Sequence, residues 1–401
     1  MTASPRLVLF WASAAQASVS LLTLGLPAIG PDLREEYGLS LAGLGAVLTA
    51  SLLGAGLSLI TLGIAVDRYG GRATTLGGSL LAAMAVAGAA FSESGAVLIG
   101  LLFVTGLGMA AVPIAGIGSL FRAFEPSRRA WAIGIRQTAV PVGGVIGALL
   151  LPGLVALGGV RLALLACAGA MGLTCLGFAT VAGEASGAPV APLSRLRRIW
   201  RTPGIRRLLI VAGLYVVVLQ SMLSFTVPAA RAAGLSAFLA GATFVAVNVT
   251  AGIARVVWGL LADRAGGTRR VQMMVGAGSV AATGGVLFAL SLHFGALVVL
   301  PAAILFSFGA LGWNALVYVS AGERAGPELA NQSVALAATI VFICGALSTP
   351  PLGALAEHAG WDVFWLVNAG LAGIGALVAM RLPRATPYPA GLTAGITESN
   401  V

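Results

Sequence analysis

Two arginines lie inside apolar stretches, and their chemistry is that of anion binding. Arg136 is about six residues into the apolar run 130–157, and Arg255 lies eight residues before Asp263 in the run 237–262. At 1.5 Å per helical residue, these positions are about 9 Å and about 12 Å from the nearer ends of their runs. No acidic residue lies deep in any apolar run to neutralise them. Because a guanidinium holds a carboxylate through two parallel hydrogen bonds, the pair favours an organic anion.

Both arginines share a helix face with small or polar residues, which mark close helix contacts in membranes. The faces comprise Arg136 with Gly143 and Gly147, and Arg255 with Asn248, Gly252 and Gly259. Arg255 also has a structural interpretation, as a donor to backbone carbonyls or a side chain that reaches toward the membrane surface. Arg136 could reach lipid headgroups in the same way. Further candidates for substrate binding, each also suited to an interhelical hydrogen bond, are Gln16, Tyr215, Gln220, Asn248, Trp313, Asn314 and Tyr318.

The composition predicts an all-α membrane protein. Hydrophobic residues make up 58% of the 401 residues and charged residues only 9%, whereas a soluble protein carries about 25% charged residues. Backbone polar groups must be satisfied locally in lipid, which predicts helices. The sequence offers no nucleophile–base pair, metal-ligand cluster or phosphate-binding loop, so we expect no enzyme activity, no metal and no cofactor.

About twelve apolar runs are long enough to cross a bilayer, and we number them spans 1 to 12 in chain order. They lie at roughly 7–31, 41–66, 73–92, 95–121, 130–157, 160–182, 207–230, 237–262, 270–292, 295–322, 329–356 and 360–381. All 23 basic residues are arginine, and with a cytoplasmic N-terminus 18 of them fall on the cytoplasmic side. Three fall on the opposite side, and Arg136 and Arg255 remain inside runs. This asymmetry predicts that both termini are cytoplasmic, in the inner membrane. It also explains the net charge of +10 as a topology signal, so we expect no nucleic-acid partner.

A charged, glycine-rich turn occurs twice and predicts two matching halves. Residues 63–72 and 259–270 both have the form G-x-x-x-D-R-x-G-G followed by arginine. Residues 26–28 with 38–40 similarly resemble 227–229 with 234–236. Six plus six spans imply a pseudo-two-fold axis along the membrane normal, with a central cavity between the halves.

The predicted organisation has four parts. These are an N-terminal half at 1–182, a cytoplasmic linker at 183–206, a C-terminal half at 207–383 and a disordered tail at 384–401. The linker begins as a flexible Gly-Pro-Ser stretch. Its second part, 195–201, is short, basic and amphipathic, which is typical of a helix that rests on anionic headgroups; a regulatory or partner site is the alternative.

The sequence resembles the major facilitator superfamily (MFS) of secondary transporters over nearly its whole length. The resemblance rests on the two halves, the central loop and the repeated G-x-x-x-D-R-x-G-G-R turn after spans 2 and 8. It implies that these turns latch the cytoplasmic helix ends in the outward-open state, and it implies that spans 5 and 8 pack across the two halves. The gating residues implied are Asp67, Arg68, Arg72, Asp263, Arg264, Arg269 and Arg270. A role as topology charges alone is the alternative.

A weaker resemblance concerns the substrate. The stretch Arg255-Val256-Val257-Trp258-Gly259 resembles span 8 of oxalate/formate and monocarboxylate carriers, in which the arginine is implied to bind the substrate carboxylate. Span 11 carries no Lys or Arg here, which argues against a dicarboxylate. Residues 136–144 partly resemble the span-5 motif of drug/proton antiporters, but Val140 stands where that motif has glycine.

We therefore expect a secondary transporter of a small organic anion, a monocarboxylate, that works by alternating access. The alternatives are a drug or multidrug efflux antiporter and, in another class, a membrane receptor that binds without transport. The expected partners are a small-molecule carboxylate, the lipid bilayer and protons, and the expected state is a monomer. Because no carboxylate lies inside a span, uniport, anion exchange, or symport with a proton carried by the substrate itself would account for the coupling.

Overall fold

The computed structural model describes residues 4–182, 194–264, 269–326 and 329–383. These residues form α-helices and one 3-10 turn, as the composition predicts. In the first half the helices are α1 Pro5–Gly25, the 3-10 turn Leu26–Ile29, α2 Gly30–Tyr37, α3 Leu41–Ala89, α4 Gly95–Met109, α5 Ala111–Ala123 and α6 Pro126–Val181. The others are α7 Ser194–Arg201, α8 Ile205–Ala232, α9 Ala237–Arg264, α10 Arg270–Ser291, α11 Ala296–Ala310, α12 Asn314–Ala325 and α13 Ala330–Met380.

Glycines divide the three longest helices. Gly70 in α3, Gly159 in α6 and Gly360 in α13 have φ of +85°, +70° and +83°, a region that side chains with a Cβ rarely adopt. The first copy of the repeated turn is therefore a real break, at Gly70, whereas residues 265–268 of the second copy lie outside the described residues. Within the described residues, nine helices or helix pairs are long and apolar enough to cross a membrane. Two of these, 135–181 and 332–380, run through a break and are long enough to cross twice; the number twelve stays a prediction.

The Gly-Leu-Ser repeat forms the same local structure in both halves. Gly38 and Gly234 have φ of +59° and +83° and end the helices before them. The Ser40 hydroxyl then accepts a hydrogen bond from the Gly43 N–H at 3.0 Å, and the Ser236 hydroxyl accepts one from the Leu239 N–H at 3.2 Å. A left-handed glycine followed by a serine N-cap is a compact way to end one helix and begin the next. This agreement supports the internal duplication.

The two ends of the helical bundle are defined by contacts. At one end, called here the terminal face, the Arg207 guanidinium donates to the Arg381 carbonyl at 2.9 Å, next to α7. At the other end, the distal face, the Leu41 N–H donates to the Glu357 carboxylate at 3.2 Å and joins the two halves. The predicted linker segment 184–192 and the tail 384–401 lie outside the described residues.

The halves meet in a close seam between α3 and α13 near the distal face. A Cβ built on Gly353 would lie 2.3 Å from the Leu41 carbonyl oxygen, and one on Gly45 would lie 2.9 Å from the Thr349 carbonyl oxygen. Both distances are too short for any residue larger than glycine, so glycine permits the two backbones to touch. The distal side of the interface is therefore held together by direct backbone contact.

Replacement of Gly353 by alanine tests this seam. The new methyl group must push α13 away from α3, and we expect Gly353→Ala to lower stability by about 1–3 kcal/mol, the usual cost of overpacking. The measurement is thermal unfolding of the purified protein in detergent. Gly370→Ala in the same helix is the control, because a Cβ there meets nothing within 4 Å. Equal melting of the two variants would contradict the seam.

Candidate functional site

Span 10 is interrupted in its middle. Helix α11 ends at Ala310 and α12 begins at Asn314, and Leu311 to Trp313 between them are not helical. A break inside the membrane frees backbone carbonyls, which must find donors within the protein. Three side chains supply them: the Trp258 indole N–H donates to the Phe308 carbonyl at 2.9 Å, the Trp313 indole N–H to Ala310 at 2.9 Å, and Arg255 Nε to Leu311 at 3.4 Å.

Helix α9 positions two of the three donors. Arg255 and Trp258 are three residues apart and therefore lie on one helix face. A Cβ on Gly312 would lie 2.4 Å from Cδ1 of Trp258, so the indole ring packs directly against the broken backbone. The sequence Leu-Gly-Trp thus forms a break because glycine leaves room for Trp258 and because neighbouring side chains satisfy the freed carbonyls.

Arg255 keeps part of its hydrogen-bonding capacity free. Its Nε is committed to the Leu311 carbonyl, which matches the structural interpretation of this residue. Among the described residues, no partner is found for Nη1 or Nη2, and the side chain is only partly buried. Two adjacent donor nitrogens that no described carboxylate neutralises are a suitable end group for a carboxylate substrate.

Arg136 is enclosed within the first half. The residue is 1% exposed, and its Nη2 donates to the Gln16 side-chain oxygen at 2.6 Å. Its Nε packs on Gly116, where a Cβ would lie only 2.6 Å away, and has no hydrogen-bond partner among the described residues. An apolar cluster of Val8, Leu120 and Ala132 lies in the same half.

The glycine face of α6 explains the position of Arg136. A Cβ on Gly143 would lie 2.2 Å from the Ala17 carbonyl oxygen, and one on Gly147 would lie 2.7 Å from Cα of Gly25. The face that carries Arg136 therefore packs on α1, as its small residues predict. The arginine side chain follows this face to Gln16 and remains inside its own half.

Helices α6 and α9 meet across the two halves, as the resemblance implies. The Asn248 side-chain oxygen would lie 2.8 Å from a Cβ on Gly144, and the Pro141 ring would lie 3.6 Å from a Cβ on Gly252. The described hydrogen bonds nevertheless place the two guanidiniums against different helices, Arg136 on α1 and Arg255 on the span-10 break. Their convergence on one region stays a prediction.

The other predicted residues are mostly engaged with the backbone. The Tyr215 hydroxyl donates to the Met274 carbonyl at 2.8 Å, and its ring lies 5.8 Å from that of the fully buried Trp313. The Asn248 amide donates to the Phe244 carbonyl at 3.0 Å. These bonds serve helix packing, whichever further role the side chains have.

Two amide side chains complete the predicted set. Gln220 Nε2 donates to the Ser224 hydroxyl at 3.3 Å. The Asn314 side-chain oxygen, at the start of α12, is buried without a hydrogen-bond partner in the described part of the chain. The span-10 break thus brings together Arg255, Trp313 and Asn314. The sequence analysis assigned no role to Trp258. Its position three residues after Arg255, on the same helix face, could have indicated that it belongs to this site.

Four of the predicted gating residues, Arg68, Arg72, Arg269 and Arg270, have described side chains. The Arg68 guanidinium is 5.3 Å from the Tyr69 ring centre, and Arg72 and Arg269 are exposed. Arg270 forms an ion pair with Glu323 of α12, a partner that the repeated turn did not reveal. The side chains of Asp67, Asp263 and Arg264 and all of residues 265–268 lie outside the described part of the chain.

Comparison with known proteins now identifies the family. The sequence matches the Major Facilitator Superfamily over residues 12–349. The chain belongs to the Major Facilitator Superfamily. It is 28% identical over 387 residues to an uncharacterized MFS-type transporter of Mycobacterium tuberculosis. The match covers 94% of this chain and 84% of the relative.

Solved MFS structures share its fold. A bacterial homolog of the human lysosomal transporter Spinster, inward-facing and unoccupied, has a TM-score of 0.77 at 15% identity and covers 94% of this chain and 96% of its own. A D-xylose-proton symporter has a TM-score of 0.77 at 13% identity, and the match covers 96% of this chain and 99% of the symporter chain. The family match and the candidate spans among the described residues make the protein a multi-pass membrane transporter of the MFS type and not an enzyme, as the sequence predicts.

Removal of one donor tests the span-10 break in this MFS protein. Trp258→Phe keeps the ring but leaves the Phe308 carbonyl without its donor, at a cost of about 1 kcal/mol for a lost hydrogen bond. We expect backbone hydrogen exchange in peptides that cover 305–316 to accelerate about fivefold, because local opening becomes easier by that amount.

Trp361→Phe in α13 is the matched control, because the described indole there packs against Phe225 and Phe364 and makes no hydrogen bond with a described residue. Unchanged exchange at 305–316 in Trp258→Phe would show that the break does not depend on this donor.

Proposed function

We propose that this MFS transporter carries a small organic anion, with a monocarboxylate as its substrate class. The observation that carries the proposal is Arg255, whose Nε holds the Leu311 carbonyl while Nη1 and Nη2 have no described partner. The bond through Nε fixes the plane of the guanidinium. A fixed plane lowers the cost of orienting the two remaining donors toward a carboxylate.

The charge balance around Arg255 supports an anionic ligand. No described acidic side chain forms an ion pair with Arg255. A charge inside the membrane is costly unless it is paired or solvated. A carboxylate substrate would supply the missing negative charge, and its release would leave the cation to water in the cavity.

The charge count favours one carboxylate over two. Arg136, the second arginine within a span, already donates to Gln16 and is buried in the first half. Residues 330–380, which form the last long helix, contain neither Lys nor Arg. A dicarboxylate would therefore require a second cation beside Arg255, which the described part of the spans does not offer.

We further propose that the described conformation is inward-facing, in a bacterial inner membrane with both termini on the cytoplasmic side. The arginine asymmetry between the two faces supports this orientation. The contacts of Leu41 with Glu357 and of Gly353 with Leu41 join the halves on the distal side, which is the outer side in that orientation. Similarity to an inward-facing, unoccupied transporter structure agrees with it.

Thermal-shift and flux measurements test the substrate class. We expect acetate, lactate or benzoate to raise the melting temperature of the wild-type protein by mass action and to enter proteoliposomes that contain it. Arg255→Gln should weaken carboxylate binding by at least tenfold, because a charge-assisted hydrogen bond contributes about 1.5–3 kcal/mol. Arg255→Lys keeps the charge but loses the two-pronged geometry, so its carboxylate affinity should lie between those of the wild type and Arg255→Gln.

Arg161→Gln is the control, since this arginine packs on Phe91 at 4.1 Å near the distal face, away from span 10. Stabilisation by lipophilic cations alone, with carboxylates inactive, would overturn the proposal and favour drug efflux. Saturable carboxylate binding without flux would favour a receptor.

A further inference from the structure

Helix α7 is fixed to the second half by its buried side. Ile199 is fully buried, whereas Trp200 is 45% exposed. The connection to α8 turns at Gly204, whose φ of +82° suits glycine. Just after it, Arg207 donates to the Arg381 carbonyl at 2.9 Å and ties the start of α8 to the end of α13. The exposed side of α7 is therefore held in place by the rest of the protein.

That exposed side carries uncommitted positive charge. Arg197, Trp200 and Arg201 are spaced i, i+3, i+4 and share one helix face. Arg206 joins them, because its Nε donates to the Trp200 carbonyl at 3.2 Å and its guanidinium lies 5.8 Å from the Trp200 ring centre. We call Arg197, Trp200, Arg201 and Arg206 the linker face.

The guanidiniums of the linker face have spare donors. Arg197, Arg201 and Arg206 are all exposed, and no acidic partner is found for any of them among the described residues. The sequence from 194 to 210 contains no Asp or Glu. Arg206 retains Nη1 and Nη2, since its described hydrogen bond uses Nε. The linker face thus presents three guanidiniums that no described carboxylate neutralises.

The linker face lies at the level of lipid headgroups. Ile210 follows Arg206 by one helical turn in α8, about 6 Å along the axis, and is 52% exposed. An exposed isoleucine near the start of a membrane span faces the hydrocarbon. Arg206 and Trp200 then lie just outside it, in the zone where tryptophan and arginine are enriched.

We propose that the linker face binds the phosphate of an anionic phospholipid. Guanidiniums hold phosphate oxygens through paired hydrogen bonds, and three of them match a headgroup with net negative charge. Trp200 and Ile210 supply apolar contact for the glycerol and the first carbons of the acyl chains, which a soluble phosphate cannot use. The bound lipid would fix the end of the linker to the membrane surface beside the second half.

Native mass spectrometry of the full-length protein in detergent tests this site, with phosphatidylglycerol and phosphatidylcholine as probes. We expect the wild type to bind phosphatidylglycerol at least tenfold more tightly than phosphatidylcholine. Arg197→Gln/Arg201→Gln/Arg206→Gln should lose that preference, since each arginine near an anionic surface is worth about fivefold. Soluble glycerol phosphate at millimolar concentration should not displace the lipid.

The control Arg6→Gln/Arg122→Gln/Arg381→Gln removes the same charge from exposed positions outside the linker face, and it should keep the preference within about threefold. Equal loss in both triple variants would overturn the proposal in favour of diffuse surface charge. Displacement by glycerol phosphate would overturn it in favour of a soluble phosphate.

A single substitution keeps the test open if the triple variant fails to fold. Arg201→Gln removes no described hydrogen bond. We expect it to weaken phosphatidylglycerol binding about fivefold and to leave the melting temperature measured with phosphatidylcholine unchanged. An unaltered phosphatidylglycerol affinity in Arg201→Gln would contradict the site.

Discussion

A membrane helix that breaks inside the bilayer must find partners for the backbone groups that it frees. In this protein the break at Leu311 to Trp313 imposes that requirement on the second half. Trp258 and Arg255 of span 8 donate hydrogen bonds to two of the freed carbonyls, and Trp313, within the break, donates to the third. The Arg255 guanidinium, which we propose to bind the substrate anion, is therefore also a structural group, and the carbonyl that it satisfies holds it in position.

Arginine serves this double purpose throughout the chain. One nitrogen of the guanidinium donates to a backbone carbonyl in several places, and the others remain for a second partner. Such bonds are made by Arg34 to Leu39, Arg206 to Trp200, Arg207 to Arg381, Arg231 to Leu235, Arg255 to Leu311 and Arg324 to Pro383. A lysine ammonium also has several donors, but it lacks the rigid planar fork in which a bond at one nitrogen sets the direction of the others. This gives a physical reason for arginine at these six positions.

Glycine decides which helices touch. Backbone contact between α1 and α6 holds the first half together, and backbone contact between α3 and α13 joins the halves at the distal face. In lipid, helices gain little from burying apolar side chains, so close packing between small residues carries more of the association. The contact between α1 and α6 also explains why Arg136 is buried in the first half, because Arg136 lies on the glycine face of α6.

Composition and repetition alone determined the class of this protein. The low charge and high hydropathy required a helical membrane protein, the duplicated turn marked two halves, and the resemblance carried by that turn identified the family. These properties follow from local residue patterns that lipid makes nearly obligatory. The glycine face of α6 likewise predicted a close helix contact correctly, whereas on the predicted face of α9 a Cβ at Gly259 would meet nothing within 4 Å.

The partners of individual side chains were decided only by the tertiary structure. Arg136 and Arg255 look alike in the sequence, since each is a lone cation in an apolar run. One is enclosed against Gln16 and Gly116, whereas the other lies at a break that no periodicity indicated. Glu323 as the partner of Arg270, and Trp258 as a donor to span 10, were hidden for the same reason. Each depends on which residues meet across some 50 positions of intervening chain, and local pattern does not encode that.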